Sequence, residues 1–199
     1  MPHRIQSYLS ESEINDILRQ PNRMSLLGKR DYAILLLMIS TGIRLSEVCS
    51  LRRGDLKQEG KKIWLYVIGK GDRQRKIPIK SHDLISALTQ YWKKAKTPND
   101  PDQPFFGTLG WRGPDKGGPL QQRSIKHLVP KYAALAKIDK HIHPHSLRHT
   151  FITHALRKSG DLSAVQALAG HSSITSTQVY LHTEDDRMEA AIKKMEEAS

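Results

Sequence analysis

The chain has 199 residues, a single cysteine, 38% hydrophobic and 26% charged residues, and a formal net charge of +12. That is enough length for one domain of generous size with a real core, in the composition of a soluble globular protein. A lone cysteine excludes an intrachain disulfide and fits a reducing cytosol, and a sequence pI near 9.9 points to a polyanionic partner, with nucleic acid the first candidate over a merely solubilising basic surface.

In chain order, "MPHRIQSYLS" has no apolar stretch of the kind a signal peptide needs. Ser10 followed by Glu13 forms a capping box ahead of Ile14, Ile17 and Leu18 at helical spacing. A second helix is expected over about 27–41, apolar almost all round and therefore buried, with Gly42 ending it. Its aliphatic run, "AILLLMI" at 33–39, is far too short to span a bilayer. A third helix starts near Ser46. The pattern then changes, for "KKIWLYVIGKGDRQRKIPI" alternates around β-branched and aromatic residues and is interrupted by "GKGDRQ", the signature of a hairpin. "SHDLISALTQYWKKAK" reads as an amphipathic helix, and the Pro-, Gly- and Asp-rich stretch after it as loop. Helices follow at about 121–136, 145–158, 161–169, 173–180 and 184–197. The expected fold class is mainly α with a small antiparallel β-sheet (α+β), without internal repeats.

"HIHPHSLRHT" (141–150) carries four histidines. His145 and His149 have the i, i+4 spacing of a zinc helix. However, Ser146 stands where the catalytic glutamate of that motif belongs, and Arg148 adds a cation to the same face. The preferred reading is a cluster that binds no metal.

A different set of residues is more informative. "TGIRLSEVCSL" supplies Arg44, "GKG" supplies Lys70 at a hairpin turn, "HSLRH" supplies His145 and Arg148, and "LAGHSSITSTQVYLH" supplies His171 with Tyr180 nine residues later. In this order the stretches resemble the catalytic domain of the tyrosine recombinases, the phage integrase family, from about Leu9 to the C-terminus. Each residue also has a plain structural reading. Arg44 could cap the apolar helix, Lys70 could be a turn lysine, His171 a helix start and Tyr180 a core aromatic. Arg73, Arg75 and Lys76 read as ordinary basic residues, and Leu45, Leu51 and Leu147 as core.

The resemblance implies a metal-free phosphodiester chemistry that needs no cofactor. Guanidinium forks suit non-bridging phosphate oxygens, so Arg44 and Arg148 would clamp them, with His171 adding a hydrogen bond. Tyr180 would be the nucleophile, forming a covalent 3′-phosphotyrosine, assisted by His145 as general base. Lys70 would protonate the leaving 5′ oxygen. Glu47, three residues after Arg44, would orient it. The implied partners are double-stranded DNA, further copies of the chain in a tetramer on that DNA, and accessory DNA-bending proteins. The implied location is cytoplasmic and nucleoid-associated, away from membranes.

The expected organisation is a single catalytic domain over 1–183 and a tail helix over 184–199. The tail carries an apolar stripe of Met188, Ala191, Ile192 and Met195, which could pack in cis or pass to a neighbouring protomer. Most of the family places a helical core-binding domain ahead of this region; none is expected within this sequence, which reads either as an excised fragment or as a single-domain member. Three alternatives remain: a type IB topoisomerase using the same residues, a catalytically silent DNA-binding regulator, and a metallohydrolase built on the histidines.

Overall fold

Ser10 starts the first helix, α1 (Glu11–Arg19), with both halves of the predicted capping box. Its Oγ accepts from the Glu13 amide, and the Glu13 carboxylate accepts from the Ser10 amide. The computed structural model of the protein describes residues 8–69, 74–96, 99–108 and 118–170. α2 (Leu26–Thr41) ends at Gly42, which takes the left-handed conformation at φ 61°. Ala33, Ile34, Leu35, Leu37 and Met38 are at most 1% exposed, so α2 is apolar all round because it runs through the centre of the core. α1, α4 (His82–Ala95) and α6 (Pro144–Ser159) pack against it.

Between these helices lie the short α3 (Leu45–Ser50), a 3-10 turn at Arg53–Asp55 and a three-stranded antiparallel sheet. β2 (Lys62–Ile68) and β3 (Gln74–Ile79) form the expected hairpin, with Leu65 opposite Ile77. A further strand, β1 (Leu56–Glu59), pairs with β2 on the other side and was not expected. Its sequence, LKQE, has one apolar residue and no alternation that could reveal a strand. Leu65, Val67, Ile77 and Ile79 point into the core. Trp64 and Tyr66 lie on the outer face, with Lys76 over the Trp64 ring and Lys57 over the Tyr66 ring.

α5 (Gln122–Leu135) and α7 (Leu162–Ala169) complete the described elements. A buried polar group joins α2 to α5. Arg30 donates to Asp31, and the Tyr132 hydroxyl donates to the same carboxylate at 3.0 Å. A smaller apolar cluster of Ile152, Val165 and Ala169 fixes α7 to α6. The fold is therefore mainly α with a small antiparallel sheet, as expected. The helices expected at 173–180 and 184–197 lie outside the described residues.

Candidate active site

Gly42 turns the chain sharply after α2, and the next residues, Ile43 and Arg44, lead into α3. On the far side, Pro144 opens α6 at a position where its missing N–H costs nothing. The Ser146 Oγ accepts from the His143 amide at 3.3 Å. The two starts face each other across a cleft of about 570 Å³, whose lining includes Arg44, Lys126, His143, His145 and Arg148. No carboxylate lies among the described residues that line it. The positive end of α6 opens on the same space, which further favours an anion.

Arg148 is buried at 3% exposure, and its cation is stabilised by the negative ends of two helices. Nη1 donates to the Gly42 carbonyl and Nη2 to the Ala169 carbonyl, each at 2.6 Å. The residue that reaches the end of α2 is thus Arg148 rather than Arg44. Arg44 instead sends Nη2 to the Gly170 carbonyl just past α7. Both arginines therefore rest on the end of α7, and the chain continues from there to His171.

Glu47 lies behind Arg44. Its carboxylate accepts from the Arg44 amide at 2.7 Å and from Arg44 Nη1 at 3.0 Å. It is 3% exposed, which rules out a surface glutamate and fits an orienting role. Burial acts to raise its pKa but is outweighed by hydrogen bonds from Arg75 and the Arg44 backbone, the Arg75 charge and the Arg44 side chain. The carboxyl is therefore held below its ordinary value. Arg75, read from sequence as an ordinary basic residue, is a principal partner of this carboxylate. The signal available was its position on a strand next to buried Ile77, but the partner lies 28 residues away.

The histidines diverge. His145 is exposed on the rim of the cleft and stacks with His143 at 6.3 Å between ring centres. Partial desolvation pushes the His145 imidazole below its ordinary pKa, helped by the charges of Arg148, His143 and Arg44. His149 is buried on the other side of α6, edge-on to Tyr8. It therefore supports the fold and does not face solvent. No group of three or more histidine, cysteine or acidic side chains among the described residues could hold a metal ion. Leu51 and Leu147 are core, whereas Leu45 is half-buried and lines the cleft. The Cys49 thiol is pushed up to about 11 by burial, which makes it a poor nucleophile at neutral pH. Of the six residues singled out from sequence, Arg44, His145 and Arg148 are thus brought together. Lys70, His171 and Tyr180 lie outside the described residues.

The sequence pattern of the phage integrase family matches residues 7–187. The chain belongs to the phage integrase family. Among relatives, the tyrosine recombinase XerC of Bacillus pumilus (strain SAFR-032) is 37% identical over 188 residues, 93% of this chain and 60% of that protein. XerC of Xylella fastidiosa (strain 9a5c) is 42% identical over 157 residues, 78% of this chain and 49% of that protein. This family member thus spans between about half and three-fifths of the length of those relatives. Among solved structures, the XerA recombinase matches with a TM-score of 0.76 at 27% identity, over 98% of this chain and 65% of that one. The XerH site-specific recombinase, in a post-cleavage complex with palindromic difH substrate, matches in fold with a TM-score of 0.78 at 23% identity. That match covers 97% of this chain and 54% of the other. No helix among the described residues is long and apolar enough to cross a membrane.

Proposed function

We propose that this domain cleaves and rejoins double-stranded DNA as a site-specific recombinase, through a covalent 3′-phosphotyrosine on Tyr180. The observation that carries the reading is the pair Arg44 and Arg148. Both are anchored on the end of α7 and line one cleft with His145 and no described carboxylate. A fixed pair of guanidiniums can meet the charge that grows on the two non-bridging oxygens as a phosphodiester is attacked, without reorganising at that moment. His145, neutral at pH 7 because its pKa is depressed, can take the tyrosine proton. Lys70 protonates the 5′ oxygen as it leaves, and His171 adds a donor to the clamp. The relatives named as recombinases favour strand exchange over relaxation by a monomer. Strand exchange joins two duplexes, so the active assembly is a tetramer on DNA, which accessory DNA-bending proteins help to form at the nucleoid. The tail helix at 184–199 passes to a neighbouring protomer through Met188, Ala191, Ile192 and Met195.

The test is incubation of the full chain with a library of nicked duplexes of randomised sequence, in which the cleaved strand loses a short fragment and cannot be religated. An adduct that survives denaturant is expected with the native chain and is lost in Arg148→Ala. A chain that binds duplex but yields no adduct from any member would reduce the protein to a DNA-binding regulator.

A further inference from the structure

Arg75 lies on β3 opposite buried Val67, and its side chain turns towards the helices. Nη1 and Nη2 donate to the two oxygens of Glu47 at 2.7 and 2.8 Å, fork against fork, and Nε donates to the Leu168 carbonyl of α7 at 3.0 Å. The Arg75 side chain is 13% exposed and that of Glu47 3%, so the pair is nearly dry. Arg75 is not among the residues that line the cleft. Whatever it contributes reaches the substrate through another group.

That group is Arg44, which shares the carboxylate and is 34% exposed. A glutamate facing one arginine forms a two-pronged pair, and such a pair largely cancels both charges. Here Arg75 occupies that geometry. Glu47 is left to hold Arg44 by its backbone amide and by a single, longer contact from Nη1. Two cations on one anion leave a surplus positive charge, and the more exposed partner, on the cleft, carries it. The Nε contact also fixes the Glu47–Arg75 pair to the last turn of α7, next to the Gly170 carbonyl that receives Arg44.

We propose that Arg75 is a positioning residue for phosphodiester cleavage: it engages both oxygens of Glu47, so that the carboxylate orients Arg44 without neutralising it. This rests on the reading of Arg44 as a phosphate ligand.

The test compares Arg75→Met, which keeps the apolar stem, with Arg75→Lys, which keeps the charge but loses the fork. The probe is a nicked duplex selected by adduct formation with the native chain, made with either an ordinary phosphodiester or a neutral methylphosphonate at the scissile position. Arg75→Met is expected to lose roughly 100-fold in the rate of adduct formation on the phosphodiester, the penalty of a misplaced group, with duplex affinity nearly unchanged. Most of that loss should vanish on the methylphosphonate, which carries less charge to neutralise. Arg75→Lys should fall between. A purely structural role would slow both esters equally, and that result would overturn the proposal, as would native rates in Arg75→Met. Nitrogen-15 spectra of the Arg44 guanidinium give a readout without substrate. Its Nη signals should move in Arg75→Met, and unchanged signals would contradict the proposal. Absence of any adduct with the native chain would instead defeat the underlying reading of the cleft, and is recognisable because it shows before any substitution.

Discussion

His145 shares its cleft with two guanidiniums, so its protonated form is the costly one. The imidazole sits below its ordinary value of about 6.5 through partial desolvation and the charges of Arg148, His143 and Arg44. At pH 7 the ring is neutral and can accept a proton, and it loses that capacity as pH falls through its lowered pKa. Arg44→Met removes one of the repelling charges, so the His145 pKa should rise towards the ordinary value in an imidazole carbon-13 titration. An unchanged value would mean that Arg44 does not act on this ring, and a fall would contradict the sign of its effect. The depression also favours protonation of the unfolded chain. Stability therefore declines as pH falls below about 6.5 and stops declining from this source below the folded pKa. Glu47 acts in a lower window. Its folded pKa is depressed, so its contribution is present above its unfolded value and is lost as pH falls through the folded one.

Gly42 links the core to the site. It ends α2 at φ 61°, and a Cβ there would lie 2.3 Å from the Phe151 ring on α6. Its carbonyl accepts from Arg148. Gly42→Ala should cost about 1–2 kcal/mol from the backbone alone, and more from displacing Phe151. In a thermal melt with a parallel cleavage assay, both Tm and rate should fall. An unchanged Tm would refute this view of the turn. Gly42 was legible in the sequence because a glycine after an apolar helix has few other uses, and Ser10 with Glu13 was legible because the capping box is local. β1 was not, since an edge strand with one apolar residue leaves no periodic trace. Arg75 was not legible either. Strand alternation can assign its face, but only the packing of β3 against α3 and α7 brings Glu47 and the Leu168 carbonyl within its reach. The histidine cluster shows the same limit, because spacing joined His145 to His149 whereas the fold sends one to the cleft and the other to Tyr8.

On the proposed reading, the net charge of +12 and a cleft lined by Arg44, Arg148 and Lys126 would make duplex binding a matter of phosphate contacts. The logarithm of affinity should fall linearly with the logarithm of salt, by roughly 0.9 per phosphate engaged, and Arg44→Ala should reduce that slope by about one. A slope that Arg44→Ala leaves unaltered would remove Arg44 from the interface. If the guanidiniums supply the electrostatic work that a divalent ion does elsewhere, as proposed, adduct formation should continue in EDTA. Loss of adduct in chelator, restored by zinc or magnesium, would revive a metal role for the histidines. One measurement decides whether the proposed covalent bond forms on Tyr180. The adduct trapped on a nicked duplex is digested with protease and nuclease, and the residue carrying the nucleotide is located by mass spectrometry. A 3′-phosphoryl group on Tyr180, absent in Tyr180→Phe, is the predicted result. An adduct on any other residue, or one that persists in Tyr180→Phe, would contradict it.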